Sequence, residues 1–303
     1  MQRQHSQGTP GTARTRDGRE LFFMEQPGPA GGGGATVVFE GGLAATRSYW
    51  APVQQAVTGS ARTVVYDRSG LGRSAPDPSG VRNLDRLADD LGDLLDHLGP
   101  GPFVLVGHSW GGLIVRVAAA ARPERIAGLV LVDPTDEACD LLLEPSIRKL
   151  EKNRYRISML LARLKLFGLL FRKVTRALPP DAAADMRAEA FTVAAVRTMG
   201  AEQAAVEADL RALLDHPPKL GDIPVTLISA TRPTPGMSAQ ARKSVNASHA
   251  YRARQSPRGR HVLAQQADHM VPTTEPAIIV TETERLLDVG ATAAGTADPS
   301  PER

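Results

Sequence analysis

A single cysteine, Cys139, stands in 303 residues, so no disulfide within the chain can staple the fold, which suits a reducing compartment. Aromatic residues are scarce at 4%, and no uncharged apolar run approaches the roughly 20 residues that a membrane-spanning helix needs. Neither sign of charge dominates. A formal net charge of +3 is too small to argue for a nucleic-acid partner. The opening MQRQHSQGTPGTARTRDGRE contains no apolar core of the kind that marks a secretory signal. These absences leave a soluble cytoplasmic protein as the expectation. Its 42% hydrophobic residues are ample for the core of one large domain or two smaller ones.

What is present is an alternation of short β-rich runs with helical ones. Leu21–Glu25, Thr36–Phe39, Thr63–Tyr66, Phe103–Val106, Leu129–Val132, Val225–Ser229 and His261–Ala264 read as strands. Leu84, Leu87, Leu91, Leu94, Leu95 and Leu98 recur at helical spacing, and Gly99-Pro100 ends that helix. Further helices are expected over Trp110–Ala121, Ser238–Arg252 and Pro276–Leu287. This order predicts an α/β fold, a mostly parallel twisted sheet with helices on both faces. Only helical patterns occur from 140 to 217, so that stretch is expected as an all-helical cap inserted into the core. The core would then comprise 1–139 and 218–290, with 291–303 a disordered tail.

Between the strand at Phe103–Val106 and the following helix lies Gly107-His-Ser-Trp-Gly-Gly112. It matches G-x-S-x-G in the one context where that motif has mechanical meaning, a sharp strand-to-helix turn. The glycines remove side chains that would collide in so tight a bend. Ser109 is thereby held out at the carboxyl end of the sheet, beside the first N–H groups of a helix, which favour developing negative charge. These features identify Ser109 as a nucleophile.

With this motif in place the chain resembles the alpha/beta-hydrolase family, from about Thr15 to Leu287. Glu40-Gly-Gly-Leu43 stands where the family carries His-Gly-x, whose third residue donates an N–H to the oxyanion. By position the resemblance assigns that donor to Gly42, with Leu43 as the alternative and the Trp110 N–H as the second donor. Tyr66-Asp-Arg-Ser-Gly-Leu-Gly-Arg-Ser74 is similar to the family's D-x-x-G-x-G-x-S turn, and Ala267-Asp-His269 to its histidine turn. Of seven histidines only His269 sits on a loop after a late strand, at the sheet end that carries Ser109. His108 adjoins the nucleophile in sequence, but the elbow turns it away from the hydroxyl. The resemblance implies a serine esterase or lipase-like hydrolase that needs no metal and no organic cofactor. A serine nucleophile disfavours dehalogenase and epoxide-hydrolase chemistry, for which the family uses aspartate.

A histidine base needs a carboxylate to fix its tautomer. The family's usual acid loop here reads SATRPTPGMSAQ, and from Ile223 to Ala267 there is no Asp or Glu against seven Lys/Arg. Asp133, which ends the Leu129–Val132 strand 24 residues after Ser109, is the expected acid, as in some branches of the family. Asp136 is the alternative; Asp268 adjoins the histidine, and adjacent residues on a turn rarely turn both side chains to one partner. The plainer role for Asp133 is a turn residue before Pro134.

The cap is divided by charge. Arg148–Arg176 carries ten basic residues and one acid, whereas Asp181–Asp215 carries seven acids and three bases. The plain expectation is an amphipathic cap that lays its leucines over the active site and its charges in water. The sharper one is peripheral contact with an anionic membrane, with a lipid-like acyl ester as the small-molecule substrate. Two other functions fit the same residues: acyl transfer or perhydrolysis through the same triad, and ligand binding with little turnover. Competing acceptors, and turnover of an aryl ester, separate them. Oligomeric state has no signature in the sequence.

Overall fold

The computed structural model describes residues 4–29, 34–234 and 237–295. Eight strands form one sheet: β1 (Thr9–Arg14), β2 (Glu20–Gln26), β3 (Thr36–Glu40), β4 (Thr63–Tyr66), β5 (Phe103–His108), β6 (Ile126–Val132), β7 (Val225–Ala230) and β8 (Gly259–Ala264). Their spatial order is β1-β2-β4-β3-β5-β6-β7-β8. The first two are antiparallel and the remaining six parallel. Strands β3, β4, β5 and β7 are buried along their whole length, which is why they read as unbroken apolar runs rather than alternating ones.

Two apolar layers cover the sheet. On one face α2 (Leu84–Leu98) and α3 (Trp110–Ala121) pack with α8 (Ala239–Gln255); on the other lie α1 (Ala51–Val57) and α10 (Pro276–Gly295). The leucines that predict α2 are the ones it buries: Leu84, Leu87, Leu91, Leu94 and Leu95. Its N-cap Asn83 accepts the Arg86 N–H, closing one of the helix's orphan donors. Three elements have no counterpart in the sequence reading: β1, α1 and the four-residue α9 (Val271–Thr274) before α10. Strand β1, TPGTAR, lacks period-two alternation because it is an outer edge strand, where Pro10 is tolerated. Helix α1 is only seven residues long. At the other end α10 continues to Gly295, so the tail expected from 291 is helical for its first five residues; 296–303 lie outside the described residues.

Between β6 and β7 the chain forms α4 (Pro145–Arg163), a 3-10 turn (Phe167–Phe171), α5 (Arg172–Arg176), α6 (Pro180–Glu189) and α7 (Val193–Asp215). The charge division of this cap has a structural cause. Its acidic half docks on arginines of the core. Asp185 and Glu189 pair with Arg47 and Arg73, Glu202 with Arg68 and Arg82, and Asp209 accepts the Leu84 N–H. The basic half faces outward, and so do several leucines expected to cover the site: Leu160, Leu164, Leu169 and Leu170 are each more than half exposed. Only Phe167, Phe171 and their neighbours turn inward. Among the described residues no helix is long and apolar enough to cross a membrane.

The buried docking pairs carry a stability cost when broken, because removing one partner strands the other charge away from water. We expect Arg68→Met to lower unfolding free energy by about 3–5 kcal/mol. Arg163→Met, on the exposed outer face, should stay within about 0.5 kcal/mol of the wild type. Urea titration followed by circular dichroism measures both.

Candidate active site

The strand-to-helix joint bends as sharply as the glycines around Ser109 require. Ser109 has φ 54° and ψ −120°, a strained conformation for a residue with a side chain. A Cβ on Gly107 would sit 2.5 Å from the Gly111 carbonyl oxygen, and one on Gly111 would sit 2.5 Å from that of Gly41. The turn is pinned on both sides: the Ser109 N–H donates to the Val132 carbonyl, and the Thr135 N–H donates to the Ser109 carbonyl. Ser109 Oγ therefore faces the carboxyl edge of the sheet, where the loops after β6 and β8 converge on it.

His269, on the loop after β8, places Nε2 3.0 Å from Ser109 Oγ and Nδ1 2.6 Å from Asp133 Oδ2. An ionised carboxylate only accepts, so Nδ1 carries the proton and the Nε2 lone pair faces the serine hydroxyl. Asp133 is buried. Burial by itself raises its pKa, but the His269 hydrogen bond and charge, with Arg242 behind them, outweigh that and hold it well below the usual carboxylate range. Arg242 Nη1 donates to the same Oδ2 at 2.9 Å, and the Ala230 N–H donates to Oδ1 at 3.0 Å. Sequence reasoning missed Arg242. The only available signal was the acid-free stretch from Ile223, whose surplus cations need carboxylates elsewhere. Neither Asp136 nor Asp268 bonds the imidazole. Asp136 is bound by Arg252 at 2.9 Å, and Asp268 accepts the Met270 N–H at 3.0 Å.

The expected oxyanion donors differ in whether their N–H groups are free. The Gly42 N–H is already committed, donating to the Tyr49 hydroxyl at 3.0 Å. Among the described residues the Leu43 and Trp110 N–H groups have no acceptor, so of Gly42 and its alternative Leu43 it is Leu43 whose N–H is free. The physical reason lies in the register of the loop. Arg68 donates to the carbonyls of both Gly41 and Gly42, each at 2.7 Å, and fixes their peptide planes. Glu40, where the family has histidine, is fully buried against Arg68 and Tyr66, and burial pushes its pKa up. It braces the loop and does not face the cavity.

His108 adjoins Ser109 in sequence, yet its Nε2 donates to the His269 carbonyl at 2.8 Å. Its Nδ1 then accepts from the Tyr49 hydroxyl at 3.3 Å. A hydrogen-bonded path thus runs from the loop after β3 through Tyr49 and His108 to the backbone of His269. Burial and the nearby His269 depress the His108 pKa to about 3, so the ring stays neutral in the folded protein.

Ser109 and His269 open on a cavity of about 200 Å³. Its far wall is apolar, formed by Phe167, Phe171, Phe191, Met186, Val196 and Met199 from the cap. Thr46 contributes a buried hydroxyl that has no partner among the described residues.

Neutral burial of His108 has a consequence for stability. The unfolded chain takes up a proton near the ordinary value of 6.5, whereas the folded protein does so only near 3. Unfolding free energy should therefore fall as pH is lowered from 6.5 toward 3. Denaturation midpoints across that range should show a shallower decline in His108→Asn than in the wild type.

The alpha/beta hydrolase fold model matches residues 35–288. A relative named "Putative carbamate hydrolase RutD", from Rhizobium rhizogenes, is 35% identical over 103 residues, 34% of this chain and 39% of that protein. The chain thus spans about two fifths of the length of this relative. Among solved structures, the epoxide hydrolase CorEH superposes with a TM-score of 0.71 at 18% identity, covering 93% of this chain and 99% of that one. A thermophilic esterase from Thermogutta terrifontis gives 0.67 at 23% identity, covering 93% and 99%. At such identities the structural likeness speaks for the fold. Since the family model covers most of its length, this chain belongs to the alpha/beta hydrolase fold family.

Proposed function

We propose that the protein is a serine hydrolase that cleaves a carboxylic ester, or a related acyl bond, through an acyl-enzyme. The observation that carries this reading is the line Asp133–His269–Ser109, with contacts of 2.6 and 3.0 Å, at the mouth of an apolar cavity. Ser109 Oγ attacks the carbonyl carbon while its proton passes to His269 Nε2. Asp133 stabilises the imidazolium that forms. The tetrahedral oxyanion lies between the Leu43 and Trp110 N–H groups, each donor being worth roughly 3 kcal/mol in comparable sites. Collapse expels the alcohol, which takes the proton from His269 and leaves the acyl group on Ser109. Water, deprotonated by the same imidazole, then releases the acid.

The apolar wall supports an acyl chain as the part of the substrate that enters the cavity. A carbamate, the class in the matched relative's name, presents the same carbonyl to the same machinery. The lack of charged side chains lining the cap side of the cavity favours the acyl ester.

We expect a fluorophosphonate to label Ser109 stoichiometrically, with no labelling of Ser109→Ala. Mass spectrometry of the modified peptide decides it. Asp133→Asn should keep the fold and lower kcat on the order of 10³- to 10⁴-fold, because the imidazole loses its tautomer. Asp136→Asn should cost far less. Acyl esters of graded length should give rising kcat/KM from acetyl to octanoyl at a matched leaving group, and a preference for acetyl counts against the acyl assignment.

A further inference from the structure

The outward half of the cap has a surplus of charge that the fold does not use. Arg163, Lys165, Arg172 and Arg176, with Arg187 of α6, line a groove on the cap surface that contains no carboxylate. Among the described residues none of the five has an ion pair or a side-chain hydrogen bond. Six acids of α6 and α7 are engaged elsewhere: Asp185, Glu189 and Glu202 hold core arginines, Asp181 accepts from Ser6, Asp209 accepts the Leu84 N–H, and Glu207 pairs with Arg211.

The same segment exposes apolar side chains that a water-facing cap would hide. Leu160 on α4 and Leu164, which caps its C-terminus, are 56% and 57% exposed, and Leu169 and Leu170 on the next turn are 55% and 64% exposed. Leu160 and Leu164 are one helical turn apart and share a face. Leu169 lies in the wall of the basic groove itself. Contiguous exposed leucine is uncommon on a protein surface with no partner. Unpaired cations interleaved with leucines are the composition of segments that lie in a bilayer interface, their charges on lipid headgroups and their apolar tips below them. A nucleic acid offers the cations phosphates but offers the leucines nothing.

We propose that the outer face of the cap, from Leu160 to Arg176, is a docking surface for an anionic lipid bilayer. The cations meet the headgroups and the four leucines enter the acyl boundary. Binding is peripheral. It involves none of Ser109, His269 or Asp133, so it stands or falls independently of the chemistry proposed above.

Co-sedimentation of the full chain with vesicles tests this. The protein should pellet with phosphatidylcholine vesicles containing phosphatidylglycerol and remain in solution with phosphatidylcholine alone. Binding should weaken steeply toward ~1 M NaCl, where the screening length is about 3 Å. Neutralising four cations together (Arg163→Gln, Lys165→Gln, Arg172→Gln and Arg176→Gln) should reduce partitioning at least about a hundredfold. Leu169→Ser with Leu170→Ser should reduce it about tenfold, since apolar insertion is lost while the charge is kept. Both variants should hydrolyse a monomeric aryl ester as the wild type does, and Ser109→Ala should bind vesicles normally. Absence of pelleting at low salt overturns the proposal. So does binding that the leucine substitutions leave unchanged and that millimolar inorganic phosphate displaces, which would mark a site for soluble anions. Binding equal in the four-cation variant overturns it as well.

Discussion

Arg68 holds the working parts of this protein in one piece. All five of its N–H groups are used: on Glu40 and the Gly41 carbonyl from Nη1, on the Gly42 carbonyl and Glu202 from Nη2, and on Glu202 again from Nε. One side chain thereby ties the end of β4 to the oxyanion loop after β3 and to the cap helix α7. Glu202 is fully buried, and Arg68 and Arg82 overcome the effect of that burial and depress its pKa to about 2. Charges so deep in the protein are tolerated only when paired, and here each carboxylate oxygen of Glu202 meets an arginine N–H. The loop that presents the Leu43 N–H is therefore no more mobile than this network allows, and the donor proposed there is fixed before any charge develops.

A second economy of charge surrounds the acid. The loop after β7, where the family usually carries its carboxylate, has none, and the helix that follows supplies cations instead. Arg242 reaches Asp133, and Arg252 reaches Asp136 and Glu137. The polarity of two neighbouring segments has in effect been exchanged: acids at the end of β6, bases on α8. Asp133 Oδ2 then serves two donors, His269 and Arg242, and it remains an acceptor through both.

These relations differ in how far the sequence reveals them. The elbow is legible because a bend that tolerates no Cβ leaves glycines at fixed spacing. His269 is legible because its place follows from strand order. Asp133 emerges once the usual loop is seen to lack an acid. Arg242 has no such signature, since one cation among seven is marked only by where α8 comes to rest. The choice between Gly42 and Leu43 turned on the Tyr49 hydroxyl, seven residues away, which occupies the Gly42 N–H. Amphipathic helices usually bury their apolar side, so the pattern of the cap leucines predicts an inward face. Here the interior of the cap is filled by phenylalanines from a 3-10 turn and the segment before α7, outside any helical periodicity. Strand β1 was hidden for the reverse reason, having too little apolar content to register.

The aromatic cluster inside the cap bears on how anything reaches Ser109. Phe171 and Phe191 stack with centroids 5.3 Å apart, and Phe191 belongs both to the wall of the catalytic cavity and to that of the basic groove outside. Lifting the cap as a rigid body would pull Glu202, Asp185 and Glu189 off their arginines together. Turning one ring breaks no ion pair and disturbs only its ring neighbours. Ring and side-chain rotations are intrinsically fast, while motions of whole packed elements occupy microseconds to milliseconds. Phe191 is thus the side chain common to the two walls, and a shorter residue at that position would thin the partition between the catalytic cavity and the basic groove.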